Sequence, residues 1–140
     1  MKIVSCYEAY FEALEDINIK ENEKIVLESK NLEYCYKFAK YIYGANIKEF
    51  EQVILESKNI AYCYHFAKDI PGVNRKAHEE VVLESKEYYY CYHFAKDIKE
   101  SNKEEIFKVI IESGDKVRIN QFIEDIDFNK EKYINYLLFI

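Results

Sequence analysis

Leu55-Glu56-Ser57-Lys58-Asn59-Ile60-Ala61-Tyr62-Cys63-Tyr64-His65-Phe66-Ala67-Lys68-Asp69-Ile70 decides the fold, because the chain writes it again, nearly unchanged, 28 residues later at 83–98. The same step backwards finds Leu27-Glu28-Ser29-Lys30 and Tyr34-Cys35-Tyr36-Lys37-Phe38-Ala39-Lys40. The same step forwards finds weaker copies, Ile111-Glu112-Ser113-Gly114 and Arg118-Ile119-Asn120-Gln121-Phe122. A fixed period of this length marks stacked supersecondary units that share one continuous core.

Each unit reads as two short helices. In the first, A, Ile47, Phe50 and Ile54 form one stripe, flanked by Val53 and Leu55. Asn46 with Glu49 reads as its start, and Asn18/Glu21 and Asn102/Glu105 repeat that spacing. Helix A ends near Ser57. Gly114 stands where a left-handed residue is wanted and Asp115 caps the next helix, so Lys30, Lys58 and Lys86 carry mild strain at the Gly114 position. In the second helix, B, over 59–70, Ile60, Cys63, Phe66, Ala67 and Ile70 share one arc, and Gly44 and Gly72 follow as stops. The expected architecture is an all-α, right-handed α-solenoid forming one domain over 1–140. Repeats fall at 18–45, 46–73, 74–101 and 102–126, with cap helices at 3–16 and 129–139, about ten helices in all.

Composition agrees. Three Gly and one Pro are too few for a turn-rich β fold. Hydrophobic residues at 49% and charged residues at 33% describe a globular chain without a membrane span, and the early acidic residues do not make a signal peptide, so a cytoplasmic protein is expected. The net charge of −6 argues against generic DNA coating, which depends on Lys and Arg neutralising phosphates.

The side chains that carry chemistry recur with the repeat. Cys35, Cys63 and Cys91 lie at one equivalent position on the apolar arc and read as buried packing thiols, too far apart for disulfides. Cys63-x-His65 and Cys91-x-His93 resemble metal pairs, but residues two apart on a helix point in different directions. No metal and no cofactor is expected. Tyr36, Tyr64 and Tyr92 flank the arc beside Lys40, Lys68 and Lys96, with Lys37, His65 and His93 between them. They can pack between repeats with their hydroxyls at the surface, or form an aromatic and cationic ladder that anchors a protein or stacks bases. Glu28, Glu56, Glu84 and Glu112 read as a solvated row. Glu23, Glu51 and Glu79 fall at the core margin, where a structural ion pair is expected. His78 replaces Phe50 of the preceding unit and is expected at a core edge. Residues 1–18 hold half the net charge, and Glu8, Glu12 and Glu15 offer an acidic docking surface.

No phosphate loop, HExxH pair or nucleophile elbow occurs, and a residue repeated in near-identical settings suits no unique active site. A non-enzymatic protein is expected.

The units at 55–70 and 83–98 resemble the short α-helical repeat proteins of AT-rich bacteria and their phages. The plan is similar to HEAT, armadillo and tetratricopeptide solenoids, although the repeat is shorter and the tetratricopeptide signature is absent. The resemblance implies an interaction scaffold or adaptor. It implies as an alternative a small acidic phage protein, anti-CRISPR-like, that blocks a host nuclease's nucleic-acid channel. The expected partner is another protein, a basic nucleic-acid-binding one among the candidates. Single-stranded nucleic acid along the Tyr/Lys ladder is the last reading. The apolar tail Tyr136–Ile140 closes the core or pairs two copies at the C-terminal end.

Overall fold

The computed structural model describes residues 4–133, and among them every regular element is helical. The order is α1 (Cys6–Leu14), α2 (Ile19–Ser29), α3 (Leu32–Tyr41), α4 (Ile47–Ser57), α5 (Ile60–Asp69), α6 (Arg75–Ser85), α7 (Tyr88–Asp97), α8 (Lys103–Glu112) and α9 (Lys116–Asp125), then a 3-10 turn, Glu131–Tyr133. The remainder of the expected C-terminal helix, and with it the tail expected to close the core or pair two copies, lies outside the described residues.

Helices pack on their chain neighbours and also on the helix two positions away, α1 on α3, α3 on α5, α5 on α7, and α2 on α4, α4 on α6. This makes two layers, A helices (α2, α4, α6, α8) and B helices (α3, α5, α7, α9), with α1 joining the B layer. Phe38, Phe50, Phe66, Phe94, Phe107 and Phe122 are fully buried between them. Phe38 stacks on Phe50 at 5.2 Å, and Phe107 on Phe122 at 5.2 Å, across successive B and A helices or within the last pair.

The turn within each repeat is built by its serine. Ser57 Oγ donates to the carbonyl of Ile54 at 2.6 Å and accepts the N–H of Asn59 at 3.1 Å. Ser29, Ser85 and Ser113 do the same. Lys30, Lys58 and Lys86 adopt φ of 52°, 56° and 55°, and Gly114 68°, so three side chains occupy a conformation that glycine takes at no steric cost. Asn31 and Asn59 then cap the B helices through the N–H groups of Tyr34 and Tyr62.

Three expectations are corrected. Asn18 is left-handed and makes no side-chain cap. Its place is governed by Asn22, buried, whose amide donates to the Ile17 carbonyl at 3.0 Å and to Glu12 at 3.2 Å. His78 is fully buried, not at an edge, and lies 5.8 Å from the Phe66 ring. Glu23, Glu51 and Glu79 find backbone, not cationic, partners in the main. They accept the N–H groups of Asn46, Asn74 and Asn102 at 2.8, 2.8 and 3.0 Å. Each of those asparagines is the N-cap of the next A helix, so one repeat's carboxylate satisfies the N–H that opens the following repeat. The partners lie 23 positions apart, further than any one A helix extends, so only stacking brings them together.

Candidate functional site

The tyrosine row runs across the B layer, and each member is tied to the next repeat. The hydroxyls of Tyr36, Tyr64 and Tyr92 donate to the carboxylates of Asp69, Asp97 and Asp125, the last residues of α5, α7 and α9. A carboxylate at a helix C-terminus opposes the helix dipole, so a strong donor there relieves an unfavourable position. The hydroxyls are therefore engaged between repeats, part-buried at Tyr36 and Tyr64 and exposed at Tyr92, and of the three side chains only Tyr64 is buried. Burial raises the phenol pKa of Tyr36, Tyr64 and Tyr92, and the adjoining aspartates raise it further.

Lysines lie over these rings. Nζ of Lys40, Lys68 and Lys96 is 5.4, 5.6 and 5.6 Å from the ring centres of Tyr36, Tyr64 and Tyr92. Lys40 also approaches Asp69 at 3.9 Å. Lys68 and Lys96 have no carboxylate partner among the described residues. Lys37 leaves the row, pairing with Glu33 at 2.8 Å over the Tyr34 ring. His65 and His93 face Asp69 and Asp97 at 3.9 and 3.5 Å. Burial lowers the His65 pKa, with Asp69 opposing the effect and Lys68 and Lys40 adding to it.

Between α5 and α7 these groups line an open hollow of about 380 Å³ that takes in Tyr64, His65, Lys68, His93 and Lys96. A second, about 260 Å³, adjoins it through Tyr89 and His93 and extends to Arg118 of α9. The structure thus gathers His65, Lys68, His93 and Lys96 into one groove; Tyr92 belongs to the second hollow, and Tyr36, Lys37 and Lys40 lie one rung away. Glu8 and Glu15 are exposed on α1, while Glu12 is half-buried and accepts from Asn22.

Tyr89 and the aspartates complete the site beyond the repeated Tyr, Lys and His positions. Tyr89 is 64% exposed and its ring centre lies 4.4 Å from that of His93. It stands where the earlier repeats have Glu33 and Ala61, a departure from the pattern that signals a site. Asp69, Asp97 and Asp125 recur at the period and were legible as a row, but their partners 33 residues upstream were not.

The thiols are packing groups. Sγ of Cys35, Cys63 and Cys91 donates to the carbonyls of Val26, Ile54 and Val82 at 3.6, 3.8 and 3.6 Å, the same carbonyls that receive the serines. Burial pushes their pKa values up to about 12, about 11 and about 12. Among the described residues no group of three His, Cys, Asp or Glu side chains is arranged to hold a metal ion, and no helix is long and apolar enough to cross a membrane. Compared with protein-family models, curated proteins and solved structures, the chain has no match.

Proposed function

We propose that this chain is a non-enzymatic protein-binding repeat module that seats a segment of its partner in the groove between α5 and α7. The observation that carries this reading is Tyr89, a large exposed aromatic placed where the repeat calls for no aromatic, between two adjoining hollows. Exposed tyrosines beside cations are favoured interface anchors because they bury much area at little entropic cost. Lys68 and Lys96, without carboxylate partners among the described residues, favour a segment bearing acidic side chains. His65 and His93 approach Asp69 and Asp97 at 3.9 and 3.5 Å, which adds polar groups to the groove wall.

The test is site-specific photocrosslinking in the native host. A photoreactive phenylalanine analogue at position 89 should trap one polypeptide, whereas the same group at Tyr43, 98% exposed and outside the groove, should not. Adducts of equal identity and yield at both positions would remove the groove. Salt-titrated binding to a single-stranded oligonucleotide addresses the nucleic-acid reading, which expects affinity at low ionic strength that Lys68→Glu abolishes. The anti-CRISPR-like reading has weaker support, because Glu12 is engaged within the fold.

A further inference from the structure

The outer face of α1 is a separate surface. Tyr7, Phe11 and Leu14 follow the spacing i, i+4, i+7, which confines them to an arc of about 60° on a helix. They are 54%, 45% and 45% exposed, while Ala9, Tyr10 and Ala13 on the opposite side face the core. Tyr7 and Phe11 lie 4.6 Å apart, ring centre to ring centre, so the stripe is continuous. The fold contains its own comparison. α3 is covered by α2 on one side and α4 on the other; α1 packs on α2 and α3 and turns its remaining apolar stripe outward.

Acids border that stripe on one side. Glu8 and Glu15 are exposed, and with Asp16 they have no cationic partner among the described residues, whereas elsewhere Lys24, Lys37 and Lys108 answer Glu28, Glu33 and Glu105. No Lys or Arg occurs in α1. Glu15 and Asp16 sit at its C-terminal end, where the helix dipole disfavours negative charge and a cation from outside would be stabilised.

We propose that this face docks an amphipathic helix of another protein whose apolar stripe is bordered by Lys or Arg on the side that meets Glu8 and Glu15. The mode is the one the A helices use on the B helices within the stack, an apolar ridge laid along an apolar stripe. It is independent of the α5–α7 groove.

The probe is a fluorescein-labelled Leu/Lys peptide of about 18 residues, five helical turns with leucines on one face. It is measured against a Leu/Glu peptide of the same pattern and a scrambled Leu/Lys peptide. The expected result is saturable binding of the Leu/Lys helix alone, weakened about tenfold by Phe11→Glu. Glu8→Lys/Glu15→Lys should shift preference toward the Leu/Glu peptide, and Tyr89→Ala should change nothing. Circular dichroism of each variant reports that the fold is kept. Absence of binding, equal binding of the Leu/Glu or scrambled peptide, or undiminished binding to folded Phe11→Glu overturns the proposal. So does a concentration-dependent dimer that Phe11→Glu dissociates, which would assign the face to a second copy of this chain.

Discussion

Oε2 of Glu51 accepts the backbone N–H of Asn74 at 2.8 Å and is 2.8 Å from Nε2 of His78, so one carboxylate of the second repeat holds both the start and the core of the third. Glu51→Ala leaves the N–H and the imidazole without that acceptor. It should destabilise the protein by roughly 2–3 kcal/mol, with Glu51→Gln intermediate because its amide oxygen still accepts one bond. Urea denaturation midpoints at constant slope check this; an alanine variant as stable as the parent would remove the inter-repeat capping from the account.

The same contact sets a pH dependence. Burial lowers the His78 pKa below its ordinary value near 6.5, and Glu51 opposes this only in part. The unfolded chain then binds the proton more readily than the folded one, so this stability is complete above about pH 6.5 and is lost as pH falls from there. His65 acts in the same direction. Glu79, held above its ordinary value of 4.5 mainly by burial, acts in the opposite one and regains stability on acidification. His78→Phe, which restores the aromatic found at Phe50, should flatten the slope of melting temperature between about pH 7 and 5. An unchanged slope would place the titration elsewhere.

Tyr64 and Tyr89 should separate stability from binding. Tyr64→Phe deletes the hydroxyl that holds Asp97 and should cost about 1 kcal/mol, limited because water can reach the half-buried carboxylate. Tyr89→Ala removes an exposed ring and should move stability by less than about 0.5 kcal/mol while reducing partner capture. Thermal melts alongside binding assays distinguish the two.

Lys58 occupies a left-handed conformation with its backbone N–H already bonded to Leu55. Lys58→Gly should stabilise by about 0.5–1 kcal/mol, as relief of backbone strain outweighs the added freedom of the unfolded chain. Lys86→Gly should behave alike, and additively, since the turns are a repeat apart. Differential denaturation of the single and double variants measures both.

Cys35, Cys63 and Cys91 should resist a thiol reagent in the folded protein at pH 8, with Cys6, which is only half-buried, reacting first. All four should react after denaturation. Fast reaction of two or more thiols in the native state would show that the B helices open readily.

The repeat made the helices, the serine and lysine turns and the buried cysteines legible, because each follows from local spacing: an apolar arc at helical period, a cap, a left-handed stop. It also located the row that lines the groove. The roles within that row were not legible, since the Tyr64–Asp97 and Glu51–Asn74 contacts join residues 33 and 23 positions apart and depend on how successive repeats stack. His78 was misplaced for the same reason. Its imidazole is accommodated in the core because Glu51 from the preceding repeat meets it there. The sequence by itself thus determined a helical repeat with chemistry recurring on the B helices. Only the tertiary structure decided that the repeated tyrosines are engaged as ties between repeats, while Tyr89, which departs from the pattern, and the outer stripe of α1 remain turned toward solvent. That division rests on distances between repeats, which a one-dimensional period does not contain.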